Sequence, residues 1–101
     1  MMTSPLARIY VRNFKNAADA KAFVEAAKVI EDRISAVELR YRLYQCAEDP
    51  AIIYEIWEYP DEDSMLWVQS SMEGATVIPR TLDPTTKAVT AHLVRAFDFA
   101  E

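Results

Sequence analysis

The residues with the most chemical promise lie in one stretch, YEIWEYPDEDSMLW, Tyr54 to Trp67. Glu55 stands two places before Trp57, so on an extended strand the carboxylate and the indole share a face. A carboxylate beside an indole is either an ion-pair partner within the sheet or a base at the wall of a pocket for an aromatic ring. Trp67 follows the acidic PDED turn, with Met65, Leu66, Val68 and Met72 around it. Those residues at helical spacing read as core packing. With Trp57 facing them from the sheet they equally make a flat apolar slot for a planar ligand. His92 is the only histidine. In an alternating strand a lone imidazole is a packed or half-exposed residue, or a second candidate base beside Glu55.

Other chemistries lack their residues. The single cysteine, Cys46, permits neither an internal disulfide nor a cysteine metal site and reads as a spare buried thiol. With no second histidine or cysteine cluster, a tightly held transition metal is not expected. One glycine, Gly74, leaves no glycine-rich phosphate cradle, and no nucleophile elbow can be assembled. Any reaction must therefore run on few polar groups in an apolar pocket, with the substrate and molecular oxygen supplying the reactivity. A net charge of −5 with no run of Lys or Arg argues against a nucleic-acid partner and slightly discourages anionic ligands. Neither a signal peptide nor a membrane span is recognisable, which makes the cytoplasm the expected address.

The elements that must position these residues are legible in the patterning of the 101 residues, which fit one domain over 1–101. LARIYVR (6–12) alternates, with Ala7, Ile9 and Val11 on one side and Leu6, Arg8, Tyr10 and Arg12 on the other. Asn16 is placed to cap a helix from Ala17 to about Ile34 whose stripe is Phe23, Ala26, Ala27, Ile30 and Ile34. AVELRYRLYQC (36–46) and AIIYEIWEY (51–59) form a hairpin around the AEDP turn. Pro60 ends the hairpin, Asp61 caps a second helix over 62–73, and Gly74 is placed to end it. Residues 75–87 read as a connector or lid, and 88–100 as the last strand. The order β-α-β-β-α-β on one antiparallel sheet is the ferredoxin-like α+β arrangement.

Both faces of the third strand are apolar or aromatic, with Ile52, Tyr54 and Ile56 on one and Ile53, Trp57 and Tyr59 on the other. A sheet with one wet face should alternate cleanly, so the open face is expected to pack on a second copy of itself. The hairpin register stays open. If Cys46 lies opposite Ala51, Arg42 meets Glu55 and Arg40 meets Trp57, giving an ion pair beside a cation–π contact. A slip of one brings Tyr41 to Glu55 and turns the arginines to the other face.

The YRLY strand, EDP turn, EIW strand and acidic helix start resemble the antibiotic-biosynthesis-monooxygenase family of dimeric α+β barrels, over nearly the whole chain from Ile9 to Phe97. The resemblance implies a strand tryptophan in the pocket at Trp57. It aligns Ile53 with an asparagine of the phenol-oxygenating members, Met65 with a tyrosine and Val68 with a histidine common in relatives. The usual Glu-Pro-Gly-Cys-like entry to the second strand is replaced by ISAVELR. In the haem-degrading branch the iron-ligating histidine falls at Val77 and the strand asparagine at Tyr10, so the ligand is missing, although Trp67 matches a helix tryptophan.

The expectation is then a homodimeric, cofactor-independent monooxygenase. Its substrate is a planar phenol or quinol held by Trp57, Trp67, Tyr41, Ile53, Met65 and Val68, with Glu55 or His92 easing loss of the phenolic proton. The rivals are a non-catalytic small-molecule-binding dimer and a cyclase or isomerase on the same barrel.

Overall fold

A central strand must satisfy hydrogen bonds on both edges, and Ile52–Tyr59 (β3) has the β-branched and aromatic content to do so. The computed structural model describes residues 5–30, 38–72, 79 and 81–97. In it β3 lies between Arg40–Gln45 (β2) and Leu6–Asn13 (β1), and β1 pairs on its other edge with Thr85–His92 (β4). Every pairing is antiparallel. Ala17–Ala26 (α1) joins β1 to β2, and Glu62–Met72 (α2) joins β3 to β4. This is the ferredoxin-like α+β fold.

Local chemistry starts both helices as the sequence predicts. Asn16, in extended backbone, accepts the Asp19 N–H on its side chain at 2.8 Å. Asp61 accepts the Ser64 N–H at 2.7 Å, and this bond holds its carboxyl below the usual range. The hairpin turn is closed by Asp49, whose carbonyl accepts the Ile52 N–H at 3.1 Å and whose side chain accepts the Ala51 N–H at 3.0 Å. The first helix ends at Ala26 with a turn at 27–28, short of the expected Ile34, and the second strand starts at Arg40, later than the expected 36. Residues 31–34, 36–37 and the Gly74 terminator lie outside the described residues.

The last strand differs from expectation. It runs Thr85–His92 rather than over 88–100, so 85–87 belong to the sheet and not to a connector. Its partner sets the limit. β1 begins at Leu6, and the final ladder-like bond is donated by Leu93 N–H to the Pro5 carbonyl at 2.9 Å. Pro5 has no N–H to extend the ladder, and residues 93–97 continue without pairing, with Leu93, Val94 and Phe97 exposed.

Burial alternates along β3, with Ile53, Glu55, Trp57 and Tyr59 buried and Ile52, Tyr54, Ile56 and Glu58 partly open. The helices cover the buried face. Ala27 and Ile30 pack with Met65 and Val68 of α2 around Leu6, Trp57 and Tyr59. Ala20 and Phe23 of α1 form a second cluster with Phe14, Ile53 and Leu82. On the uncovered face Ala7, Ile9 and Val11 of β1 lie beside Glu58, Ile56 and Tyr54, with Ala91, Val89 and Lys87 on the far edge. No helix among the described residues is long and apolar enough to cross a membrane.

Because the Asn16 side chain supplies the first helix with a partner for an otherwise orphaned N–H, Asn16→Ala is expected to cost about 1 kcal/mol. Urea unfolding should show a lower midpoint at unchanged slope.

Candidate functional site

The helix-facing side of the sheet can be read as rows running β2, β3, β1, β4. Tyr59, Leu6 and His92 form the row at one end of the sheet. Tyr41, Trp57, Arg8 and Thr90 form the next, then Leu43, Glu55, Tyr10 and Ala88, then Gln45, Ile53, Arg12 and Thr86. This grid follows a hairpin register in which Tyr44 faces Tyr54. Neither anticipated register is the one formed. Cys46 N–H donates to the Ile52 carbonyl at 3.0 Å, so the turn is one residue longer than in a Cys46–Ala51 pairing.

Glu55 is 3% exposed, yet it is fully engaged. Arg12 donates to Oε1 from Nε at 3.1 Å and from Nη2 at 2.7 Å. The Tyr41 hydroxyl donates to Oε2 in a short hydrogen bond. The contact of Tyr41 with Glu55 and the arginines on the other face are those expected of a slipped register, although the slip runs the other way. Arg42, the alternative partner of Glu55, meets Glu58 at 3.6 Å, and Arg40, expected at Trp57, lies opposite Glu58. The cation–π contacts fall elsewhere too. The guanidinium carbons of Arg12 and Arg8 lie 4.6 and 5.4 Å from the centre of the Tyr10 ring, and Arg12 also caps Phe23 at 5.5 Å. Arg8, Tyr10 and Arg12 are the site residues that sequence reasoning missed. Their alternation was visible, but only the pairing of β1 beside β3 reveals that their face is the covered one.

Aromatic rings continue from this carboxylate towards the sheet end. Trp57 meets Tyr41 edge-on at 4.5 Å and stacks with Tyr59 at 6.3 Å and 6°. The Tyr41 phenol is pushed well above its ordinary range, by burial first, then by the Glu55 charge and hydrogen bond, with Arg12 opposing. Tyr59 is pushed up by burial first, then by Tyr10 and Glu55, with Arg8 opposing. Both rings are therefore hydrogen-bond donors at neutral pH, and neither is a base.

At the sheet end a cavity of about 590 Å³ is lined by Leu6, Leu39, Tyr59, Arg40, Leu93 and His92, among others. A second cavity of about 420 Å³ lies between α1 and β2, over Val24, Leu43 and Ile53. His92 lies opposite Leu6 and Glu55 opposite Tyr10, about 13 Å further along the strand, so the candidate bases are not brought together. His92 is exposed and makes no hydrogen bond or ion pair among the described residues.

Trp57, Met65 and Val68 meet in one core cluster, while Ile53 belongs to the other and Tyr41 packs beside Trp57. Trp67 does not face them. Its helix buries Met65 and Val68, one turn apart, and this leaves Trp67 47% exposed on the outer side, so no two-indole slot forms within the chain. Among the described residues no group of three or more His, Cys, Asp or Glu side chains gathers as a metal site. Val77 lies outside the described residues, and Tyr10 is held under the arginines.

In sequence the chain matches no protein-family model and no curated relative. In structure it is similar to a dimeric ferredoxin-like protein from an uncultured marine organism, with TM-score 0.75 and 14% identity over 96% of this chain and 94% of that one. It is similar to a candidate antibiotic biosynthesis monooxygenase from Chloroflexus aurantiacus, with TM-score 0.70 and 17% identity over 96% and 100% of the two chains. A variant of SnoaB, a cofactor-independent oxygenase from Streptomyces nogalater, superposes with TM-score 0.67 and 13% identity over 98% and 100%. At such identities the likeness defines the fold. The resemblance to the antibiotic-biosynthesis-monooxygenase family holds at that level.

The Glu55 network generates two stability tests. Glu55→Leu strands a largely buried guanidinium and should cost about 3–5 kcal/mol. Adding Arg12→Met and Tyr41→Phe should return much of that loss in urea unfolding, because no unpaired polar group then remains. A raised phenol pKa contributes stability that is intact below the unfolded value, about pH 10, and is lost as pH climbs above it. Tyr41→Phe should therefore flatten the fall of the unfolding midpoint above about pH 10.

Proposed function

We propose that the chain is a homodimeric, cofactor-independent monooxygenase acting on a planar phenol or quinol bound in the sheet-end cavity. The observation that carries the reading is the uncommitted His92 on a ring-sized space lined by Tyr59, Leu6, Leu39 and Leu93, with Glu38, Arg40 and Glu58 also in its wall. A volume of about 590 Å³ is within the range of small-molecule sites. In this reading the ring lies on the Tyr59–Trp57 stack, Tyr59 donates to a ring oxygen, and His92 takes the phenolic proton. The electron-rich anion then reduces molecular oxygen. One oxygen atom enters the ring system as a carbonyl in place of two hydrogens, and the other leaves as water. The substrate is the only reductant. Glu55 serves as the buried partner that fixes Arg12 and Tyr41 rather than as the base, since both its oxygens are already hydrogen-bonded.

The uncovered sheet face supports the homodimer, as Ile9, Val11, Ile56 and Val89 form an apolar surface there, and dimeric proteins share the fold. Ile56→Asp places a charge at its centre and should convert a dimer to a monomer in sedimentation.

A second reading has its own support. Because Glu55 is consumed internally, it supplies no base to the cavity, which suits a protein that sequesters an aromatic ligand without turning it over. Oxygen uptake with anthrones and naphthohydroquinones, in the presence of a chelator, separates the two. An oxygenase should exceed the uncatalysed rate and lose about 100-fold or more in His92→Gln, with partial recovery at higher pH as solvent deprotonates the phenol. Binding without uptake would select the sequestering protein, and uptake indifferent to His92→Gln would remove the histidine from the mechanism.

A further inference from the structure

The aromatic rings of the covered face form a chain with two different ends. Tyr59 lines the sheet-end cavity, Trp57 stacks on it at 6.3 Å, and Tyr41 meets Trp57 edge-on at 4.5 Å. Both separations are those of aromatic rings in contact, so an electron can step from ring to ring without crossing solvent. Trp57 and Tyr59 are buried, and neither donates a side-chain hydrogen bond among the described residues. Tyr41 differs. Of the five tyrosines, it is the one whose hydroxyl donates to a carboxylate among the described residues, at Oε2 of Glu55. Arg12 anchors the other oxygen of that carboxylate, so the acceptor is held in place.

This difference matters once a ring is oxidised. Loss of an electron makes a phenol strongly acidic, and the radical settles where the proton has a base to go to. Burial first, then the Glu55 charge, keep Tyr41 protonated, so it has a proton to give. Its transfer to Glu55 would replace a buried charge by two neutral groups. Tyr10, a neighbouring ring on the same face, lies under the guanidinium groups of Arg8 and Arg12, whose positive charge opposes its oxidation.

We propose that Tyr41 is a redox-active tyrosine, which receives an oxidising equivalent from the cavity through Tyr59 and Trp57 and passes its proton to Glu55. The oxidant is an oxygen-centred radical, such as a substrate peroxyl radical. This source, unlike the relay, rests on the reading of the cavity as the site of oxygen chemistry. The peroxyl radical takes one electron from Tyr59 and one proton from water and becomes a hydroperoxide. Trp57 refills Tyr59, Tyr41 refills Trp57, and the Tyr41 hydroxyl proton moves to Glu55. Tyr41 has then lost one electron in all and ends as a neutral tyrosyl radical beside a neutral carboxylic acid.

Pulse radiolysis with the azide radical, which oxidises indoles ahead of phenols at neutral pH, tests the relay without a substrate. In Trp67→Phe the only indole is Trp57, and its indolyl absorption should decay into that of a tyrosyl radical. Adding Tyr41→Phe should abolish the tyrosyl signal, and adding Tyr59→Phe should leave it. The transfer should slow in heavy water and be indifferent to buffer concentration, because the proton acceptor is internal. That measurement leaves Tyr41 intact and gives the answer if Tyr41→Phe does not fold. An indolyl radical that decays to no tyrosyl product, a product that survives Tyr41→Phe, or a rate that rises with buffer would overturn the proposal. During oxygen uptake with a naphthohydroquinone, freeze-quenched Trp67→Phe should carry the same tyrosyl signal. Uptake without it would overturn the cavity as the source. Absence of uptake would overturn the oxygenase reading and that source together, with radiolysis still deciding the relay.

Discussion

A carboxylate at the middle of a buried strand must be neutralised, and the architecture around β3 follows from how Glu55 meets that demand. Its charge cannot be left in an apolar interior, where desolvation costs several kcal/mol or more. The strand on one side supplies Arg12 and the strand on the other supplies Tyr41, so the central position of β3 is what completes the shell. The same carboxylate divides the core. Ile53 on one side of it packs with Phe23, Phe14 and Leu82, and Trp57 on the other packs with Met65, Val68 and Ile30. Glu55 and Arg12 form a polar seam between these clusters, and the Tyr10 and Phe23 rings shield the guanidinium from water.

That arrangement separates polar groups that hold the sheet from those left for a ligand. Arg12, Tyr41 and Glu55 satisfy one another. His92 remains at the sheet-end cavity with Glu38, Arg40 and Glu58, while Arg8 stands one row further in, outside that cavity's lining. The chain is acidic overall, yet its covered face carries both Arg8 and Arg12 against the single buried Glu55. A charge balance counted over the whole sequence therefore describes solubility and not the local balance on one face of the sheet.

The same fold with few shared residues is what a scaffold with replaceable sites looks like. Positions where the family resemblance implied polar groups hold Ile53, Met65 and Val68, all buried in the core. The polar groups of this face are Arg8, Tyr10 and Arg12 of the first strand with Tyr41 and Glu55 beside them.

Local signals in the sequence were sufficient for everything that depends on neighbours along the chain. The Asn16 and Asp61 caps, the period-2 strands, the acidic helix start and the shared face of Glu55 and Trp57 follow from spacing alone, because backbone geometry repeats every few residues. The two-sided third strand belongs here too. The Arg12 partner of Glu55 did not, since it is 43 residues away in sequence. Tyr41 was only one of two alternatives, because an alternating strand fits several registers equally well. The end of β4 was decided by where β1 begins, just after Pro5, and not by the apolar run that continues through Phe97. Trp67 was decided by which side of its helix met the sheet. Pairing and packing between distant segments set these outcomes, and only the tertiary structure contains them.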